Sequence, residues 1–318
     1  MDLVHLKSFA DVAARGTIAA AAQAQGYTAP AVSQHITKLE TYLSVQLFDR
    51  VGGRLALTPA GAALLPVAFE MLDLEAHGRT TVHRPGDVPH IVFAGFASAI
   101  STVLIPRLGR LREVATIEIS EAEDAEALRD LALGAVDVVL AQEYDGVPIE
   151  RNRRFTFTPL VSDRLALVLP PEMAATTTVD ELGDAPWLLN GSTTRCTMAT
   201  RRILRAAGIT PRIVGTVADN ATLLALVAAG QGVTVVPARV LDDGQHIVTI
   251  AEQDLGITRT ILAVTRTATH ASVTPLLGLL EAIPRKPGRP GFGLEPRLVP
   301  PLRSKGRETR AGHQRGES

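Results

Sequence analysis

Along positions 1–61 the apolar residues recur at helical spacing, with little strand-like alternation. Leu3, Leu6, Ala10 and Ala13 predict a first helix, stopped by Gly16. Thr17 can cap a second, alanine-rich helix over 18–25, which Gly26 ends. Thr28 can cap a third, with Pro30 in its first turn, where a missing N–H is harmless. Val32, Ile36, Leu39 and Leu43 make the apolar stripe of that third helix, and Ser33, Gln34, Thr37 and Lys38 make its polar face. Leu47 and Phe48 then anchor a turn that carries Arg50 and Arg54. Residues 55–57 read as a short strand, and Thr58-Pro59 opens another helix. Two short helices joined by a Gly-containing turn and followed by a basic hairpin have the form of a winged helix-turn-helix. The plainer alternative is a helical hairpin whose Gln34 and Lys38 are merely solvated.

That helix is predicted to continue over 62–79, with Pro66 within its first two turns, and a Pro/Gly-rich hinge follows over 84–89. From His90 the pattern changes. Strands at 91–93, 117–119, 136–140, 187–189, 213–217 and 233–236 alternate with helices at 101–111, 125–133, 198–207 and 223–229. Strand material at 160–169 is interrupted by Ser162-Asp163-Arg164, and a last helix is predicted at 274–283. Near-continuous Val/Ile/Leu strands between helices predict a parallel sheet covered on both faces. Residues 285–318 are rich in Pro, Gly and Arg and predict a disordered basic tail.

The 318 residues suffice for two or three domains, and 46% of them are hydrophobic, enough for large cores. Apolar runs such as 62–69 and 223–229 are far shorter than a membrane span requires. The N-terminus lacks the basic and apolar pattern of a signal peptide, so a soluble cytoplasmic location is expected. Net charge is −1, yet 86–284 carries −7 while 285–318 carries +6. The acidic middle is unsuited to a phosphate backbone, so any nucleic acid must be met by the N-terminal block or the tail.

Cys196 is the only cysteine, which excludes an internal disulfide and favours a small buried hydrophobe over a redox sensor. Histidines 77, 83, 90, 246, 270 and 313 show no metal spacing, and His35 reads as a phosphate or solvent contact. No GxSxG, P-loop, HExxH or dinucleotide fingerprint occurs, so no enzyme activity, metal or cofactor is expected. Two functions remain: a DNA-binding regulator that senses a small molecule, and a solute-binding protein or enzyme whose N-terminal helices serve dimerisation. A gel shift with the DNA upstream of the gene separates them.

The run GTIAAAAQAQGYTAPAVSQHITKLE from Gly16 to Glu40 closely resembles the signature of LysR-type transcriptional regulators. So does LFDRVGGRLALTPAG from Leu47 to Gly61, with the family's spacing kept through both stretches. Gly230 to Pro237, GQGVTVVP, is similar to a late strand entry of the same family. The resemblance implies a winged helix-turn-helix over 1–61 and a linker helix and hinge over 62–89 that pairs subunits. It further implies an α/β effector domain over 90–284 like type 2 periplasmic binding proteins, with lobe I at 90–162 and 266–284 and lobe II at 163–265. Double-stranded operator DNA would be met by Thr28, Ala29, Pro30, Ser33, Gln34, Thr37 and Lys38, and its backbone by Arg50 and Arg54. A small, anionic effector would sit between the lobes, against Ser98, Ser101, Asn190, Ser192, Thr193, Arg195 and Asn220, where helix N-termini favour negative charge. Self-association as a dimer of dimers is the implied assembly.

Overall fold

The computed structural model describes residues 1–52, 54–81, 88–241, 247–267 and 273–281. Most of the expected hinge, the last two residues of the helix expected at 274–283 and the whole basic tail lie outside the described residues, as do Gly53, His83, His246, His270, His313 and the His77 side chain.

Helices α1 (Leu3–Arg15), α2 (Ile18–Gln25) and α3 (Ala29–Leu43) start and stop where local chemistry dictates. Side chains of Asp2, Thr17 and Thr28 accept from the N–H of Val4, Ala20 and Ala31 at 2.9, 3.2 and 3.4 Å. These bonds satisfy donors that a first helical turn leaves free. Gly16 and Gly26 close α1 and α2 at φ 76° and 68°, in the left-handed region.

Strands β1 (Phe48–Val51) and β2 (Arg54–Leu57) form an antiparallel hairpin. Thr58 then caps α4 (Pro59–Thr81), accepting from Gly61 N–H at 3.0 Å and donating to the Gln46 carbonyl at 2.8 Å. At Gly61 a Cβ would collide with the Leu47 carbonyl oxygen, so this crossing of chain segments requires glycine. The helix continues through Pro66. Leu6, Phe9, Val12, Val32, Ile36, Leu39 and Phe48 bury together with Ala68 of α4. Each large member contributes roughly 1.5–3 kcal/mol on burial.

The remaining chain begins with β3 (His90–Gly95), then α5 (Ala97–Ala99), a π turn (Ile100–Leu104), a 3-10 turn (Ile105–Arg107) and α6 (Leu108–Arg112). The helical segment thus begins four residues before the expected 101. Its changes of winding surround Pro106, whose ring has no N–H to donate and crowds the carbonyl one turn back. Then follow β4 (Thr116–Glu121), α7 (Asp124–Ala132), β5 (Val138–Tyr144) and β6 (Phe155–Leu169). The second lobe adds β7 (Pro186–Asn190), α8 (Arg195–Ala206), β8 (Arg212–Val217), α9 (Asn220–Ala228), β9 (Thr234–Pro237) and β10 (Thr249–Ile250). The chain returns through β11 (Thr258–Arg266) and α10 (Val273–Glu281).

The sheet is mixed rather than parallel. Strands β4, β3 and β5 are parallel, whereas β11 lies antiparallel between β5 and β6, and β9 and β10 are antiparallel to β6. Burial on both faces makes a strand uniformly apolar whatever its direction, and that is the source of the difference. Strand β6 is also unbroken, because its polar triplet is paired across the sheet. Ser162 Oγ lies 3.1 Å from Thr260 Oγ1, and Asp163 stands opposite Arg259. Because β11 pairs with β5 from Arg259 to Val264, the return to lobe I falls at Thr258–Arg259 rather than at 265–266.

Lobe I packs Phe93, Leu104, Leu140 and Ile261 on one face of the sheet and Leu131, Val139, Leu262 and Val264 on the other. Lobe II does the same with Leu167, Trp187, Leu204 and Val235, and with Val168, Leu188, Leu223 and Val236. Helix α4 rests on lobe I: the Arg154 guanidinium stacks 3.8 Å from the Phe69 ring centre and lies 3.3 Å from Asp73, which also meets Arg266 at 3.5 Å. Arg15 at the end of α1 reaches Asp130 of α7 at 2.5 Å.

Candidate nucleic-acid interface and effector cleft

Thr28, Ala29, Pro30, Ser33, Gln34, Thr37 and Lys38 are all exposed, as are Arg50 and Arg54. Positions 29, 33 and 37 and positions 30, 34 and 38 form adjacent rows along α3, while Val32, Ile36 and Leu39 are buried behind them. Among the described residues, Lys38, Arg50 and Arg54 have no ion-pair partner, so their charge faces solvent. The hairpin register pairs Arg50 with Leu55 and Val51 with Arg54. The two arginines therefore leave opposite faces of the ribbon, with Arg54 on the face of Asp49.

His35, expected as a phosphate or solvent contact, is half-buried against α1. Its Nδ1 lies 2.8 Å from Ser8 Oγ of α1, and Tyr27 meets its ring edge-on at 5.4 Å. Partial burial, together with His5 and Lys38, lowers its pKa and favours the neutral ring. A polar chain runs on from there: Ser8 donates to Gln25 Oε1 at 3.2 Å, Gln25 donates to Asp11, and Asp11 holds Arg15 at 3.2 Å. Through Arg15 and Asp130 this chain links α3 to lobe I.

Between the lobes, the expected ligands divide into three groups. Ser98 lies inside the first helical turn after β3, only 7% exposed, and its Oγ accepts from Arg259 Nη1 at 3.1 Å. Ser101 is exposed and donates back to the Ser98 carbonyl at 3.3 Å. On lobe II, Asn190 Nδ2 donates to Asn220 Oδ1 at 2.8 Å, and Asp219, not Asn220, caps α9 through Thr222 N–H at 2.7 Å. Ser192 and Thr193 are exposed in the loop before Thr194, which caps α8. Arg195 is engaged across the cleft: its Nε lies 3.0 Å from Asp124 of α7 and its Nη1 donates to the Pro148 carbonyl at 2.7 Å. The structure thus joins Asn190 with Asn220, and Ser98 with Arg259.

Sequence reading missed the charged groups that organise this seam. Arg259 is fully buried, and its Nε and Nη2 grip Asp163 at 2.8 and 2.9 Å. Burial disfavours its charge, yet Asp163, Tyr144 and Cys196 together hold its pKa above the ordinary value. Asp124 is pushed up to about 7, chiefly by burial, against the opposing pull of Arg195. Burial and Glu121 also raise Glu123. The available signal was a charged residue within a short polar stretch of each strand, Asp163 in Ser162-Asp163-Arg164 and Arg259 in Thr258-Arg259-Thr260. Cys196 is buried in the lobe II core, and burial pushes its thiol pKa up, which disfavours the reactive thiolate.

A helix-turn-helix with a cationic wing, joined by a long helix to a two-lobed sensor, defines a DNA-binding regulator with an effector domain. Comparison with known proteins bears on the same question. Residues 3–62 match the bacterial regulatory helix-turn-helix proteins of the lysR family, and residues 86–281 match the LysR substrate binding domain. The HTH-type transcriptional regulator TfdS of Cupriavidus pinatubonensis is 29% identical over 259 residues, 76% of this chain and 83% of its own. The regulator ShiR of Corynebacterium glutamicum is 31% identical over 250 residues, 74% and 82% of the two chains. Among solved structures, a cysteine variant of full-length OxyR from Pseudomonas aeruginosa superposes with a TM-score of 0.61 at 20% identity, over 88% of this chain and 93% of its own. CbnR, a LysR family transcriptional regulator, gives 0.51 at 24% identity over 88% and 100%. The chain belongs to the LysR family of transcription regulators.

Proposed function

We propose that this regulator reads operator DNA with Thr28, Ala29, Pro30, Ser33, Gln34, Thr37 and Lys38 in the major groove, while Arg50 and Arg54 hold the backbone. The observation that carries this reading is the exposed polar face of α3, set against a buried stripe and flanked by cations without ion-pair partners among the described residues. Domains divide at 1–61, 62–89 and 90–284, and two dimers present paired recognition helices to successive grooves of cytoplasmic DNA. A small effector enters the interlobe cleft against Ser98, Ser101, Asn190, Ser192, Thr193, Arg195 and Asn220. Arg195 and the N-termini of α8 and α9 favour an anionic group there. The effector acts by its different affinity for two arrangements of the lobes, which the contacts of α4 and Arg15 with lobe I transmit to the DNA-binding helices.

A gel shift tests the reading. Purified full chain should shift the DNA upstream of its own gene in the presence of excess random competitor. Equal affinity for upstream and random DNA would overturn the assignment.

A further inference from the structure

Beyond the Arg259–Asp163 and Arg195–Asp124 pairs, the seam between the lobes holds two further arginines with buried donors that nothing among the described residues engages. Arg107 ends the 3-10 turn after the π turn, is 4% exposed, and among the described residues has one side-chain bond, from Nη1 to the Val103 carbonyl at 2.6 Å. Its Nε and Nη2 are buried and have no partner among the described residues. Those two N–H groups form the side-on fork of a guanidinium, whose parallel donors match the two oxygens of a carboxylate, sulfate or phosphate. Arg239, which follows β9 in lobe II, likewise buries an Nε without a partner among the described residues. Its backbone N–H donates to Asp163 Oδ2 at 3.1 Å. Asp163 accepts from the Nε and Nη2 of Arg259, and among the described residues no bond joins it to the open fork of Arg107.

The Asp163–Arg259 pair ties the two segments together, through the Arg239 backbone N–H on one side and Ser98 of the helical segment that carries Arg107 on the other, and the Arg239 charge adds to burial in lowering the Arg107 pKa. Two guanidiniums from different lobes, with three buried donors unpartnered among the described residues, leave a cationic site that a single oxyanion satisfies. We infer that Arg107 and Arg239 form an oxyanion-binding site across the lobe junction, distinct from the ligands of the cleft. Its ligand is one carboxylate, sulfate or phosphate group, taken by the Arg107 fork and clamped by Arg239. This site needs none of the DNA-reading or cleft assignments.

The test is isothermal titration of the full chain with acetate, sulfate and phosphate in separate arms, at constant ionic strength in a buffer free of other oxyanions. The expected result is saturable binding of one ion per chain in at least one arm, and the responding arm identifies the source chemistry. Arg107→Met keeps the length and apolar stem but removes the fork, and should weaken binding at least tenfold. Arg107→Lys should weaken it as well, because an ammonium cannot offer two parallel donors. Arg239→Met, at a half-buried position, provides the same reading if Arg107→Met fails to fold. Thermal melts add a crossing of order: without oxyanion Arg107→Met melts at or above the parent, and with saturating oxyanion it melts below. Absence of saturable binding in all three arms would overturn the site, as would binding only above about 0.1 M, the mark of an adventitious ion. Equal affinity in the parent and both methionine variants would do the same.

Discussion

Asp163→Asn is the perturbation whose cost the structure fixes most tightly. The Arg259 side chain is 1% exposed and that of Asp163 9%, so neither charge has water to fall back on. Two guanidinium N–H groups and one backbone N–H converge on the Asp163 carboxylate, and Arg259 holds Ser98 with its remaining arm. Replacing Asp163 by Asn keeps the shape but leaves Arg259 as a buried, uncompensated cation. Breaking a buried pair in this way costs about 3–5 kcal/mol. For an α/β domain of this size each kcal/mol moves Tm by roughly 2–4 °C, so the effector domain should melt about 6–20 °C lower.

Differential scanning calorimetry of the full chain reads this directly, and a gel shift at low temperature should still show DNA binding. The double variant Asp163→Leu/Arg259→Met removes both charges together and should cost less than the two single changes summed. Strict additivity, or a loss below about 1 kcal/mol in Asp163→Asn, would refute the account of this pair as a mutually dependent buried unit.

Gln34→Ala should weaken operator binding by about 1–3 kcal/mol while leaving random-sequence binding nearly unchanged, since glutamine reads a base edge; equal losses on both DNAs would remove Gln34 from base reading. Arg54→Ala should lower affinity for all sequences and reduce the slope of log K against log salt by about 1, and an unchanged slope would assign Arg54 a structural role beside Asp49. Asp124, with its pKa raised from 3.8 to about 7, keeps a proton in the folded state that the unfolded chain releases. Stability should therefore fall as pH rises through that window, and Asp124→Asn should gain on the parent by up to about 4 kcal/mol between pH 4 and 7. Urea midpoints of the two proteins across that range give the measurement, and a pH-independent difference would contradict the shift.

What could be read in the sequence is what neighbouring residues decide. Thr17, Thr28 and Thr58 cap helices through N–H groups three positions on, and Gly16 and Gly26 stop helices by their own backbone freedom. The exposed face of α3 follows from the same periodicity, because one apolar stripe fixes both the buried and the open side. The triplet Ser162-Asp163-Arg164 looked like a break because polar residues in an apolar run usually end a strand. Its partners Thr260 and Arg259 stand nearly a hundred positions away, so no local window could show that the strand continues.

The cleft was less legible for the same reason, carried one step further. Ser98 was chosen for its place after a strand, yet its hydroxyl is held by Arg259, 161 positions along the chain. Arg195 was chosen as an anion ligand, and the anion it meets is Asp124 of its own chain. Residue type and loop position single out Arg195 locally, whereas the carboxylate it meets stands 71 positions away, outside any local window. A ligand that enters this cleft must displace Asp124 from Arg195 or bind with that bridge intact, and the two cases differ in proton count. Displacement frees a carboxylate whose pKa burial alone would raise still further, so an anionic effector that takes Arg195 should bind with proton uptake near pH 7.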